Sequence, residues 1–149
     1  MKLLKKLGCG AFVSLAAVGC NGSPTIEMVP ASGTVLLDQK PVPGVALTLV
    51  PQEGVKGRGG YATSAADGSF ALQAEPDAIG VAPGKYRVLF QKFAMPDGSA
   101  VPPGTSSADA DLINQLPALY GHPERSPVFA VIPAVDGQGL SFQLNSRVR

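Results

Sequence analysis

A cysteine that closes a short apolar stretch near the start of the chain has the clearest chemistry in this sequence. Three lysines precede the apolar run from residue 7 to residue 18, an arrangement typical of a secretory signal. The run holds about 12 residues, fewer than the roughly 20 that a membrane-spanning helix needs. Cys9 lies within the run, so export would leave Cys20 without a disulfide partner. The sequence predicts a signal peptide over residues 1–19 and a modified thiol at Cys20; a buried N-terminal helix and an unmodified terminal cysteine are the alternatives.

The residues before Cys20 resemble the bacterial lipobox, in which a small residue stands directly before an invariant cysteine. Gly19 takes that position, with Val18 and Ala17 before it; the lipobox family prefers leucine where Ala17 stands. An ordinary secretory cleavage site fits Ala17 and Gly19 as well. The resemblance implies cleavage between Gly19 and Cys20, acylation of the Cys20 thiol with chains such as palmitate, and often acylation of the new amino terminus.

Lipidation at Cys20 predicts the location and one partner of the protein. Two or three acyl chains bury many CH₂ groups at about 0.8 kcal/mol each, so they anchor a protein firmly in a membrane. We expect an exported protein that is held at the cell envelope through its lipid. Asn21 stands where well-studied diderm lipoproteins carry the aspartate that retains them at the inner membrane, which weakly favours the outer membrane.

The charge of the chain argues against a nucleic-acid partner. The chain has 12 lysines and arginines and 11 acidic residues, and three of the lysines lie in the predicted signal. The exported part would therefore carry nine cations against eleven acids, a formal charge of −2. Its sequence has no tryptophan and no run of basic residues, the features that a nucleic-acid interface needs.

The single histidine, His122, is the candidate for acid–base chemistry. Ser126, Glu124 and Asp111 could join it in a serine–histidine–acid arrangement. The surrounding segment "YGHPERSP" has no nucleophile-elbow pattern and is flanked by prolines. We therefore predict a solvated loop histidine and no catalytic residue; an envelope hydrolase or an enzyme-accessory domain is the alternative function.

The acidic residues give little support to a metal site. Calcium prefers six to eight oxygen ligands, several of them carboxylates, whereas Asp67 is the one acid in its turn. Asp109 and Asp111 lie close together, but acids at the start of a predicted helix are explained by the helix dipole. We expect no metal and no cofactor.

Short alternating runs, separated by glycine and proline, predict the elements that position these residues. Alternation of apolar and polar residues is typical of half-buried antiparallel strands. Seven segments show it: 32–37, 45–50, 61–65, 69–73, 85–93, 127–132 and 140–145. Segment 127–132, "PVFAVI", is apolar on both faces, as a central strand would be. Such spacing predicts an all-β sandwich of two sheets.

The phase of the alternation predicts which large side chains face inward between the two sheets. These core residues are Phe70, Leu72, Tyr86, Val88, Phe90, Phe142 and Leu144. Tight turns are predicted at 38–40, 66–69 and 136–139, where aspartate and glycine favour positive φ angles.

One long connection, from residue 94 to residue 127, interrupts the strand pattern. Its part from Ser106 to Tyr120 predicts a short helix that Ser106 or Ser107 caps and Pro117 ends. Loops of this length are usually functional or disordered, so the connection is the predicted contact surface. The candidate contact residues are Leu112, Leu116, Tyr120, His122 and Arg125. The alternative is that its leucines fold back over the open end of the sandwich.

Three stretches together resemble the transthyretin-like, carboxypeptidase regulatory-like domain. They are "SGTVLLDQKPVPGVALTLVPQ", "YATSAADGSFALQ" and "GVAPGKYRVLFQKF". The chain looks closest to small lipoproteins of planctomycete-type bacteria, in which a late segment with tyrosine and Ser-Pro precedes the final hairpin. Tyr120, Ser126 and Pro127 match that segment.

The resemblance implies a seven-stranded, prealbumin-like Greek-key sandwich over residues 30–146, after a tether at 20–29 and before a tail at 147–149. Some transthyretin relatives hydrolyse a cyclic ureide with several histidines and arginines and a C-terminal tyrosine motif. This chain has one histidine and ends in "NSRVR", so that activity is not expected. We expect a non-catalytic module that presents loops or a sheet edge to a protein or a glycan, or that supports envelope structure. The sequence does not specify its oligomeric state.

Overall fold

A computed structural model describes residues 26–106, 111–134 and 139–147, and most of its regular structure is β-strand. This part of the chain holds one 3-10 helix, Ala118–Gly121, and twelve strands: β1 (Ser32–Leu37), β2 (Lys40–Pro41), β3 (Ala46–Pro51), β4 (Gly60–Thr63), β5 (Ser69–Ala71), β6 (Gln73–Glu75), β7 (Ala78–Ile79), β8 (Gly84–Gln91), β9 (Phe93–Ala94), β10 (Ile113–Asn114), β11 (Phe129–Ile132) and β12 (Leu140–Leu144). Each segment predicted from alternation contains a strand. The all-β fold is confirmed.

The strands form one large antiparallel sheet and a smaller sheet that faces it across the core. The large sheet has six strands in the order β11-β8-β3-β4-β6-β7. In the smaller sheet β1 lies between β12 and β2, and β5 pairs with the first half of β1. A separate pair joins β9 and β10. Within the described ranges, no helix is long and apolar enough to cross a bilayer.

One strand pair differs from the antiparallel prediction. β1 and β12 run parallel, with Val35 beside Phe142. Alternation specifies the buried face of a strand but not the direction of its neighbour, so the sequence pattern did not indicate this pairing. The two strands approach closely at Gly33, where a Cβ atom would lie 1.9 Å from the carbonyl oxygen of Leu140. A residue without a side chain is therefore required there.

The predicted core residues are confirmed. All seven of them are buried, and they pack with further buried residues of both sheets, among them Val35, Leu47 and Leu49. Aromatic rings fill the core: within the smaller sheet the ring centroid of Phe142 lies 5.6 Å from that of Phe70, and across the core it lies 5.3 Å from that of Phe90 in β8. Such ring pairs stabilise a core beyond the area that they bury.

The predicted turn after β1 is present. Asp38 and Gln39 have φ angles of 49° and 68°, the conformation of the type I′ turn that matches strand twist in a two-residue hairpin. The carboxylate of Asp38 also accepts a hydrogen bond from the backbone N–H of Ser146, at 3.0 Å. This turn thereby holds the end of the chain beyond β12.

The prediction that segment 127–132 forms a central strand is wrong. Among the described residues β11 pairs with β8 alone, and it is the outermost strand of the six-stranded sheet. Ala130 and Ile132 point into the core, whereas Phe129 and Val131 are 42% and 45% exposed. Apolar residues on both faces of a strand usually indicate burial on both faces, but here the outer face stays open.

The long connection does not form the predicted helix in its described part. It contains β10 and then the 3-10 helix, and Pro117 precedes that helix instead of ending one. Pro117 is the N-cap residue, with φ and ψ of −52° and 133°, and the helix starts at the next residue. Residues 107–110 of the predicted helix lie outside the described ranges.

The chain approaches the domain along the edge of the large sheet that is opposite β11. Val29 and Val81 exchange two backbone hydrogen bonds, of 2.8 and 3.0 Å, and Gly80 lies next to β7 in the sequence. A Cβ atom on Gly80 would lie 2.4 Å from the carbonyl oxygen of Val29, so the close contact depends on glycine. The end of the predicted tether is thus attached to the β6–β7 side.

Candidate functional site

The residues assigned to cleavage and lipidation, Gly19 and Cys20, lie outside the described residues. The predicted tether enters the described part of the chain at Ile26. Cleavage and lipidation therefore stay predictions.

The five predicted contact residues do not share one surface. Leu116 and Tyr120 are each 4% exposed and belong to the hydrophobic core. Their place in a contact surface is corrected: the connection closes over the sandwich and buries its apolar side chains, as the alternative proposed. Leu112 is half-buried, and His122 and Arg125 are exposed. For these three residues the contact surface stays a prediction.

Two side chains of the late "Y…SP" segment hold the connection against the sheets. The hydroxyl of Tyr120 accepts a hydrogen bond from the backbone N–H of Asn145, at 3.1 Å. The hydroxyl of Ser126, which is 1% exposed, donates to the carbonyl oxygen of Val88 at 2.6 Å. One contact reaches the end of β12 and the other reaches the middle of β8. The tyrosine and the serine of this segment therefore have a structural role.

The candidate catalytic residues do not form a hydrogen-bonded array. Nδ1 of His122 accepts the backbone N–H of Glu124 at 3.2 Å, while the Ser126 hydroxyl is buried and directed to Val88. The serine oxygen is therefore committed to a backbone carbonyl and separated from solvent. In the described part of the chain these side chains do not make the contacts of a serine–histidine–acid triad.

The acidic side chains take part in turns. Asp67 accepts hydrogen bonds from the hydroxyl and the backbone N–H of Ser69, and Asp97 accepts the same pair from Ser99. Hydrogen bonds from the serine hydroxyl, and then from the serine N–H, hold the pKa of each carboxyl below its usual value. Among the described residues, no three His, Cys, Asp or Glu side chains are grouped as metal ligands.

The outer face of β11 and β8 carries an exposed aromatic ring between two cations. Phe129 lies opposite Arg87, and Val131 lies opposite Lys85. The Lys85 ammonium is 5.0 Å and the Arg87 guanidinium 4.8 Å from the centroid of the Phe129 ring, within the range of cation–π attraction. The Arg87 guanidinium also donates to the carbonyl oxygens of Glu124 and Ser126. These contacts position both cations beside the outermost strand.

The backbone N–H and C=O groups of β11 point alternately toward β8 and away from it. The N–H of Val88 donates to the carbonyl oxygen of Val128 at 2.9 Å, which makes these two residues a hydrogen-bonded pair. Since such pairs alternate along antiparallel strands, Ala130 and Ile132 also bond to β8. The N–H and C=O groups of Phe129 and Val131 then point away from β8, toward the free edge.

Two of the shallow grooves on the described part of the surface are lined in different ways. One, of about 520 Å³, is lined by small polar residues of β1, β4 and β5, including Ser32, Thr34 and Thr63. The other, of about 450 Å³, lies beside Phe93 at the end of the large sheet, under the loop that ends at Val101. Neither groove gathers charged side chains around a centre, so neither indicates a reaction.

The sequence interpretation missed the edge position of β11, although a signal for it exists. Pro127 and Pro133 bracket the strand, and proline is found in sheets almost only at edges or strand ends because it cannot donate a ladder hydrogen bond. The apolar character of the segment hid that signal.

Comparisons of the chain with models of protein families, with curated proteins and with solved structures find no match.

Proposed function

We propose that the protein is a lipid-anchored module of the cell envelope that binds a protein or a glycan through its surface and catalyses no reaction itself. In this proposal the domain is transthyretin-like and carboxypeptidase regulatory-like, with a seven-stranded Greek-key core. The short strands β2, β6, β7, β9 and β10 are then extensions of that core. Cys20 carries the acyl chains.

The observation that supports a binding role is the open edge at β11. It combines exposed apolar side chains, two cations and backbone groups that no strand of the described ranges pairs with, all of which a partner can use. By contrast, every buried side-chain nitrogen and oxygen in the described ranges already has a hydrogen-bond partner. Polar groups inside this domain therefore serve its fold, and those available to a ligand lie on its surface.

The position of the tether fits this role. The N-terminal segment joins the β6–β7 side of the large sheet, and β11 lies five strand spacings away, about 24 Å. The nine residues from Cys20 to Met28 can span at most about 30 Å, so a lipid at Cys20 would keep the domain close to the membrane. The β6–β7 side would be nearest the tether, and β11 would remain accessible.

The anchor is tested by phase partition and intact-mass measurement of the protein made in a host that lipidates bacterial lipoproteins. We expect the parent to enter the detergent phase, to begin at residue 20 and to carry added acyl mass. Cys20→Ala should remain uncleaved or become soluble, because the acceptor thiol is missing.

The matched control is Cys9→Ala, which changes a cysteine inside the predicted signal and should partition like the parent. A mature protein that begins at Cys20 without acyl mass would contradict the proposal. So would detergent partition that Cys20→Ala leaves unchanged.

A further inference from the structure

We propose that the β11 edge binds an extended peptide with acidic side chains at alternate positions, which adds to the large sheet as a further strand. This rests on the proposed binding role and names the surface and the class of partner. It draws on three features of the same strand: its free backbone, its charge and its apolar side chains.

The backbone of β11 is ready for a further strand. The N–H and C=O groups of Phe129 and Val131 point outward, and β11 ends the sheet as far as the described residues form it. An added strand can form ladder hydrogen bonds with both residues, which is how strand addition supplies affinity. Pro127 and Pro133 limit the open edge to a few residues, so the bound segment is short.

The charge of the outer face selects the partner. The outward positions of β11, β8, β3 and β4 hold two cations, Lys85 and Arg87, and no acidic residue. The contacts of these cations are with the Phe129 ring and backbone carbonyls. Glu124 and Arg125, which are both exposed, precede the strand, and their opposite charges cancel in the local sum. An otherwise acidic mature chain therefore presents a local positive charge to an acidic partner.

The side chains of an added strand would meet this charge at the correct spacing. Successive side chains point to opposite faces, so every second residue of the peptide lies beside Phe129 and Val131 on the outer face. Lys85 and Arg87 lean over Phe129, from the second strand toward the edge. Carboxylates at alternate peptide positions can therefore pair with them while the intervening residues pack toward the core side.

The same features disfavour two other occupants. In a second copy of the chain paired through β11, the two sets of cations would face each other across the interface, which is repulsive. A glycan that stacked on the ring of Phe129 would compete with the Lys85 and Arg87 side chains that already contact it. A glycan also cannot form the alternating ladder that the free backbone offers.

Binding is measured with the full chain in detergent micelles and a fluorescein-labelled, end-capped peptide of eight residues that alternates threonine and glutamate. Its controls are the same peptide with lysine for glutamate, and a glutamate peptide N-methylated at every second residue. We expect saturable binding of the glutamate peptide. The lysine peptide should bind at least about tenfold more weakly, because charge complementarity becomes repulsion. N-methylation on the bonding edge should also weaken binding by about tenfold or more, since it removes ladder hydrogen bonds.

Two protein variants test the same surface. Lys85→Gln should weaken binding of the glutamate peptide by about threefold, as expected for one exposed ion pair, and Lys40→Gln, in β2 of the other sheet, should not. Val131→Pro removes one outward N–H but no bond to β8, and should weaken binding by about tenfold. If Val131→Pro does not fold, the N-methylated peptide provides the same test from the ligand side.

Equal binding of the glutamate and lysine peptides, or no effect of N-methylation, would overturn the inference. So would concentration-dependent dimers that Val131→Pro abolishes, or binding of a β-linked hexasaccharide in place of the peptide. Detergent partition of the same preparation separates the two proposals. If the protein enters the detergent phase but does not bind the glutamate peptide, strand addition alone is refuted. If it binds the peptide but does not enter the detergent phase, the lipid anchor alone is refuted.

Discussion

Single hydroxyl groups stabilise this domain by bonding to backbone, and Ser126 is the clearest case. It is buried and donates to Val88, so Ser126→Ala leaves a buried carbonyl oxygen unpaired. We expect the free energy of unfolding to fall by about 1–3 kcal/mol, measured by urea denaturation. Ser99→Ala, which removes an exposed serine hydroxyl bonded to Asp97, is the control and should change stability little. If both variants lost the same free energy of unfolding, the burial of the serine hydroxyl would not determine the loss.

The carboxyl groups of the turns predict how stability depends on pH. Hydrogen bonds from the hydroxyl and N–H of Ser69 lower the pKa of Asp67 in the folded state, and those from Ser146 lower that of Asp38. A lowered folded-state pKa means that the contribution is present above the unfolded value, near pH 4, and is lost as the pH falls through the folded value. The urea midpoint should therefore fall from pH 5 toward pH 2. Asp67→Asn should flatten that fall, because it removes one of the two carboxyl groups whose pKa is lowered by folding.

Whole strands were predictable where one face is buried. Leu47 and Phe142 alternate with exposed residues and lie in the core as the pattern indicates. Leu47→Ala and Phe142→Ala should each lower the free energy of unfolding by about 2–5 kcal/mol, the usual cost of truncating a large core residue. Thr48→Ala, on the exposed face of β3, is the control for Leu47→Ala. Urea unfolding of both core variants within about half a kcal/mol of the parent would contradict the assigned strand phase.

The long connection is an element whose role the sequence left open between covering the sandwich and binding a partner. The burial of Leu116 and the bond from Asn145 to Tyr120 favour covering. Leu116→Ala should therefore lower the thermal midpoint, with a loss of about 2–4 kcal/mol. Ile113→Ala, at an exposed residue of the same connection, should have little effect. If Leu116→Ala and the parent had the same thermal midpoint, the connection would not stabilise the sandwich, and binding a partner would be the better explanation of it.

The elements that sequence did not predict share a physical cause. The alternation of apolar and polar residues indicates which face of a strand is buried. It does not indicate which strand is the neighbour in the sheet or in which direction that neighbour runs. Phe129 and Val131 are apolar yet exposed because their face is left open, and β12 is parallel to β1 because of a pairing between distant segments. In the described part of the helix predicted over residues 106–120, the chain instead forms β10 and the 3-10 helix after Pro117. The candidate edge site depends on strand order, so local patterns could not locate it.

At the scale of the whole molecule, the position of each strand in its sheet predicts how fast its backbone amides exchange with solvent. β3 and β8 are paired on both sides, so their amides should exchange only through large openings of the domain. In β11 the amides of Ala130 and Ile132 should be protected through β8. Those of Phe129 and Val131 should exchange at least about a hundredfold faster, because they face the free edge. Residue-resolved exchange measured by NMR checks this contrast between adjacent residues. The acidic peptide should slow exchange at Phe129 and Val131 and leave the β6–β7 side unchanged. Protection of the two outward amides in the free protein equal to that in β8 would mean that another segment already covers the edge, and strand addition would then have no place to occur.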